Sequence, residues 1–163
     1  MPPIEGPVFQ AQLPFRWQSA HQPIASNDAE VLRYLIVLAD FEQNHLSLEL
    51  AQAKQDLLLI WMAKQRDIAL PQTTALTVGM NKLAWLNQSP LNVGETGVVE
   101  FSFSIDFPLL LSFKARIIES KLTGQYYQCV AEILSLSPAV QDQFEQTVFR
   151  HHRRAVQQAR QSR

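Results

Sequence analysis

The chain reads as a mainly β protein with added helices, on three observations. Apolar residues recur with period two in five successive runs after Pro71, and a sixth such run spans 9–17. Between the first run and the others, 28–66 carries helical spacing, and a last helical pattern follows Ser137. Six antiparallel strands with one buried face are enough to close a small barrel and remove its edges. The alternation itself does not distinguish a barrel from a sandwich.

The opening residues 1–7 hold three prolines and a glycine and are expected to form a loose arm. Phe9, Ala11, Leu13, Phe15 and Trp17 then alternate with polar neighbours, the pattern of a strand with one buried face. Pro14 lacks a backbone donor, which places this strand at an edge or near a bulge. Asn27, followed three residues on by Glu30, resembles a capping box that opens a helix from Asp28 to about Asn44. Val31, Tyr34, Leu35, Leu38 and Phe41 share one face of that helix.

The segment 46–66, LSLELAQAKQDLLLIWMAKQR, is free of Gly and Pro and rich in good helix formers. Leu46, Leu50, Ala53, Leu57 and Ile60 repeat at steps of four and three, a single apolar stripe of the coiled-coil kind. Beyond Ala53 the apolar set widens to Leu58, Leu59, Trp61 and Met62, so this helix must be covered on more than one side. An ordinary core helix and an oligomer interface both satisfy that demand. With the helix before it, the segment forms an antiparallel hairpin or one kinked helix.

Strands are expected around Leu76 and Val78, and around Leu83 and Trp85, with a tight turn over 79–82. Val99, Phe101, Phe103 and Ile105 are expected to face one way along the next. Leu109, Leu111, Phe113, Ala115 and Ile117 follow, then Tyr127, Cys129, Ala131 and Ile133 after a turn at Gly124. Ser137 and Pro138 make a good cap and first-turn pair for the closing helix, 138–163. Val140, Phe144 and Val148 pin it to the barrel, and its turns beyond Arg150 are expected to fray.

At 163 residues with 47% apolar and 18% charged side chains, the chain suits one domain, 1–163. The net charge of −1 conceals a split. All 15 acids but only nine of the 14 basic residues precede Arg150, a balance of −6, whereas 150–163 carries +5. This rules against a general nucleic-acid binder and leaves one small basic patch suited to a compact anion or an acidic partner. One cysteine, Cys129, excludes an intrachain disulfide, and the opening residues do not read as a secretory signal. The longest apolar run is too short to cross a bilayer. A cytoplasmic protein that is not transmembrane is expected.

No catalytic constellation can be assembled. His21, His45, His151 and His152 stand in no metal-ligand spacing, and no nucleophile elbow or phosphate-binding glycine loop occurs, so neither enzyme, metal nor cofactor is expected. Arg150 lies three and four residues from Arg153 and Arg154, so their guanidinium groups share a helix face suited to phosphate or carboxylate. Helix-end electrostatics is the alternative account of the same cluster.

Four segments, AQAKQDLLLIWMAKQ, TALTVGMNKLAWLN, LNVGETG and VFRHHRRAVQQAR, taken in this order and spacing, resemble the atypical branch of the PilZ-domain family. That branch has a helical insertion and oligomerises. The resemblance implies a six-stranded antiparallel barrel with a helical insertion after its first strand, in a bacterial setting. It also implies a role in cyclic di-GMP signalling or in type IV pilus function and surface motility. The typical PilZ ligand site combines Arg-x-x-x-Arg with Asp/Asn-x-Ser-x-x-Gly. Here Arg16 stands alone, with Ala20 four residues on, and Thr77, Gly79 and Lys82 occupy the defining positions of the second motif. The expected function is therefore a non-catalytic scaffold that forms a homo-oligomer and meets a protein partner. A cyclic di-GMP receptor using Arg150, Arg153 and Arg154 is the alternative.

Overall fold

The computed structural model describes residues 3–19, 26–43 and 70–163, together with the helical positions Gln55, Leu58 and Met62. The elements are β1 (Phe9–Ser19), α1 (Asp28–Gln43), β2 (Thr73–Val78), β3 (Lys82–Asn87), β4 (Thr96–Phe101), β5 (Leu111–Thr123), β6 (Tyr126–Ile133) and α2 (Pro138–Gln161). The six strands close into an antiparallel barrel in the order β1-β2-β3-β6-β5-β4. Closure leaves the barrel no edge, so Pro14 has another place. Residues 9–14 of β1 pair with β2 and residues 15–19 with β4, and Pro14 sits at that handover.

Inward residues from every strand, among them Phe9, Leu13, Leu76, Leu83, Val99, Phe113, Ile117 and Ala131, form one core. The two helices complete it. Asn27 caps α1 through its side chain, accepting from Ala29 N at 2.8 Å, and α1 buries Val31, Tyr34, Leu35 and Leu38. Ser137 caps α2, which buries Val140, Phe144, Thr147 and Val148. The Phe144 ring meets Phe101, Phe103 and Phe113 edge-on, at centroid distances of 6.4, 5.2 and 5.8 Å. Such pairs add to the roughly 1.5–3 kcal/mol that burial of one large apolar side chain supplies. The Tyr34 hydroxyl donates to Phe107 O at 2.9 Å, and burial pushes its pKa up.

Three expectations are corrected. β4 stops at Phe101, so Ile105 is not an inward strand residue but 57% exposed on a loop. The serines divert the backbone: Ser102 Oγ accepts from Leu109 N and donates to Ser104 O, while Ser104 Oγ accepts from Phe107 N. These local bonds replace ladder bonds. Phe103 is still buried, and β5 begins at Leu111 rather than Leu109.

The opening arm is not loose where it is described. Ile4 is 4% exposed, held on the outer barrel face against Ala84 and Val130, with Val8 and Ile118 beside it. Ile118 reaches that face because β5 shifts register between Ile117 and Glu119. Third, α2 does not fray after Arg150 but continues through Gln161. The positive φ angles of Gly94 (91°) and Gly124 (65°) let the chain turn before β4 and between β5 and β6.

Candidate functional site

Arg16, Thr77, Gly79 and Lys82, the positions that the resemblance singles out, lie on the outer barrel face and are engaged within the chain. Arg16 and Glu100 are cross-strand neighbours, with Arg16 Nε donating to Glu100 Oε2 at 2.8 Å. Thr77 is buried and its hydroxyl accepts from Gln10 Nε2 at 3.1 Å. Gly79 N donates to Lys82 O at 2.8 Å, closing the β2–β3 turn, and Ile4 lies directly over Gly79. A groove of about 550 Å³ beside them is lined by Gln10, Gln12, Thr77, Leu86 and Gln128 together with three alanines, Trp85 and Thr123. None of its lining residues is ionisable. A phosphate diester would find hydrogen-bonding amides there but no counter-charge.

The charged chemistry is on α2. Arg150, His151 and Arg154 all turn to one acid, Glu42, in the last turn of α1. Glu42 Oε2 accepts from Arg150 Nε at 3.3 Å and from Arg154 Nη1 at 2.7 Å. His151 Nε2 lies 3.1 Å from Oε1 and 3.0 Å from Oε2. A carboxylate only accepts, so His151 carries its hydrogen on Nε2. Arg154 Nη2 also donates to the Glu42 main-chain carbonyl at 2.9 Å, satisfying one of the orphan acceptors at the end of α1. The Glu42 side chain is 9% exposed and that of Arg150 11%. Burial pushes the Glu42 pKa up, but the His151 hydrogen bond and the charges of His151 and Arg150 outweigh it, leaving the pKa below its ordinary value. Two guanidinium groups thus face one carboxylate, and Arg150 Nη2 is buried without a hydrogen-bond partner.

Of the three arginines singled out from the sequence, the structure turns Arg150 and Arg154 to Glu42, while Arg153 is exposed. A cleft of about 380 Å³ lies between Gln146, Phe149, Arg150 and Arg153. The adjacent histidines part company: His152 Nδ1 donates to Val8 O at 2.7 Å and so ties α2 to the opening arm. Glu42 escaped the sequence reading because its partners lie 108 to 112 residues away. One signal was present, since Glu42 stands four residues after Leu38, in line with the buried face of α1.

Leu46, Leu50, Ala53, Leu57 and Ile60 lie outside the described residues. Gln55, Leu58 and Met62 are helical, at steps of three and four, and Leu58 and Met62 are 55% and 54% exposed. Among the described residues no group of three His, Cys, Asp or Glu could hold a metal ion. No described helix is long and apolar enough to cross a membrane.

A closed six-stranded antiparallel barrel with a helix inserted after its first strand and a closing C-terminal helix defines the class of fold. No protein-family model matches the chain, and no curated protein matches it. A solved structure does: a pathogenic protein from Xanthomonas campestris, a tetrameric PilZ domain self-assembled through a helical bundle. It matches with a TM-score of 0.77 and 21% sequence identity, over 92% of this chain and 90% of that one. This chain has the PilZ-domain fold.

Proposed function

We propose that this chain, 1–163, works as one PilZ-like domain that self-associates through 46–66 and serves as a non-catalytic scaffold in bacterial signalling or surface motility. The observation that carries this reading is the coincidence of the stripe Leu46, Leu50, Ala53, Leu57 and Ile60 with the fold of a protein assembled by a helical bundle. Leu58 and Met62 support it, as exposed apolar positions one turn apart on a helical segment. A stripe with seven-residue recurrence buries its seam against another helix. The barrel positions that would hold a nucleotide are engaged internally, which favours a partner protein over a ligand as the next component. Sedimentation equilibrium at micromolar concentration tests the reading. The parent is expected to assemble, Leu50→Glu with Leu57→Glu to lower the mass, and an outer-face change such as Lys121→Gln to leave it unaltered. A monomeric parent overturns the proposal.

The second reading, a cyclic di-GMP receptor using Arg150, Arg153 and Arg154, draws on the cleft beside Arg153 and the unpartnered Arg150 Nη2. The hold of Glu42 on Arg150 and Arg154 weighs against it, because a phosphate would have to displace a carboxylate already bound by both.

A further inference from the structure

We propose that the seam between β2 and β3 is a docking site for an extended, uncharged segment of a partner protein, which pairs with the open main-chain edges there. The inference deepens the partner half of the scaffold reading and rests on that half. The barrel has no edge strand, yet its six seams are unequal. β2 meets β3 only at Thr77↔Ala84 and Val78↔Leu83, whereas every other seam runs for five residue pairs or more. Residues 74–76 of β2 pair with β1 alone, and residues 85–87 of β3 pair with β6 alone. An antiparallel strand turns its N–H and C=O groups alternately to its two sides. The two stretches therefore face each other across a gap, with main-chain donors and acceptors that no described strand takes up.

The groove of about 550 Å³ lies along this gap. Its walls include Gln10, Gln12, Ala75 and Leu86 from the outer face, and it reaches in to Ala11 and Trp85, which pack on the core. A cleft that touches both faces of a sheet lies between strands and not merely on top of them. A second cleft of about 200 Å³ shares Trp85 and Leu86 with it and continues to Trp17, Thr74 and Asn87. The indole N–H of Trp17 is buried with no acceptor, and a main-chain carbonyl brought into that cleft is a group that satisfies one.

Open strand edges select extended backbone, and the lining selects its side chains. The larger groove has no ionisable residue, and Arg16 at the smaller one is held by Glu100. A charge carried in would lose its water and gain no counter-charge. Leu86, 50% exposed, offers apolar contact instead. The open stretch of β2, 74–76, spans roughly 10 Å of extended chain. A second copy of this chain is a poor source of the strand, because its described strands are all paired within its own barrel. The segment therefore comes from a different protein, by the pairing that sheet edges offer to peptides.

The test selects random phage-displayed octapeptides on the full chain and counter-selects them on Ala75→Lys. Ala75 is exposed, so this variant fills the groove without entering the core. Enrichment of peptides uncharged over about three central residues is expected. The best of them, synthesised with blocked ends, is expected to lose affinity at least about tenfold when alternate backbone nitrogens are methylated. That arm uses the unaltered protein. Sedimentation equilibrium on both proteins reads assembly in parallel, and Ala75→Lys is expected to assemble as the parent does. No enrichment over the counter-selection, or a peptide indifferent to backbone methylation, overturns this inference and leaves self-association standing. A lower assembled mass for Ala75→Lys also overturns it, by showing that a second copy fills the groove. A monomeric parent that binds the peptide supports this inference and overturns self-association alone.

Discussion

Ile4 stands over Gly79 so closely that a Cβ on the glycine would come within 2.9 Å of the isoleucine Cγ2. An arm of the chain, 75 residues earlier in sequence, thereby covers one of the positions where a PilZ ligand motif would lie. The contact is apolar on both sides and is fastened a few residues on by the bond from His152 to Val8 O.

Ile4→Asp is expected to release the arm without unfolding the barrel. The side chain contributes about 1.5–3 kcal/mol of burial, all of it on the outer face and none in the main core. Hydrogen exchange should accelerate over 3–8 while β3 and β6 stay protected. Equal acceleration in the strands would show that the arm is part of the barrel's cooperative unit.

Phe144→Ala is expected to cost about 3–5 kcal/mol, since it empties the position where α2 meets three barrel phenylalanines. Urea unfolding should show a lower midpoint with an unchanged slope. A loss below about 1 kcal/mol, the size of a surface change, would mean that α2 is not integral to the core.

Acid should loosen the helix clamp. The Glu42 pKa is lowered on folding, so its contribution to stability is fully present above its ordinary value of 4.5 and is lost as pH falls through the lower folded value. Between pH 7 and 5 this group adds no pH dependence. Below 4.5 the parent should lose its advantage over Glu42→Gln, so that the two urea midpoints converge. Midpoints that stay equally separated down to pH 2.5, roughly the acid end of a carboxylate's range, would contradict the lowered value.

Cyclic di-GMP is expected to bind more weakly than about 10 μM in calorimetric titration at physiological salt. Arg16 is spent on Glu100, Thr77 on Gln10, and Gly79 lies beneath Ile4. Attraction to Arg153 alone is screened by salt and does not choose guanine. A submicromolar, salt-resistant complex that Arg153→Ala abolishes would instead support the receptor reading.

The barrel was legible because each strand is two-sided, and a two-sided strand writes its burial into local alternation. Leu76 with Val78, Phe113 with Ala115, and Cys129 with Ala131 needed no partner to be assigned a face. The helix caps at Asn27 and Ser137 were equally local. Alternation misled at Ile105, where Ser102 and Ser104 take up backbone groups that the ladder would have used. The sequence by itself thus determined the strands, the caps and the inward faces. Only tertiary structure decided that Ile4 closes over Gly79 and that Glu42, Arg150, His151 and Arg154 meet. Those contacts join residues 75 to 112 positions apart, and no spacing rule reaches that far: periodicity reports which way a side chain faces, whereas the identity of what it faces is set by how the barrel closes.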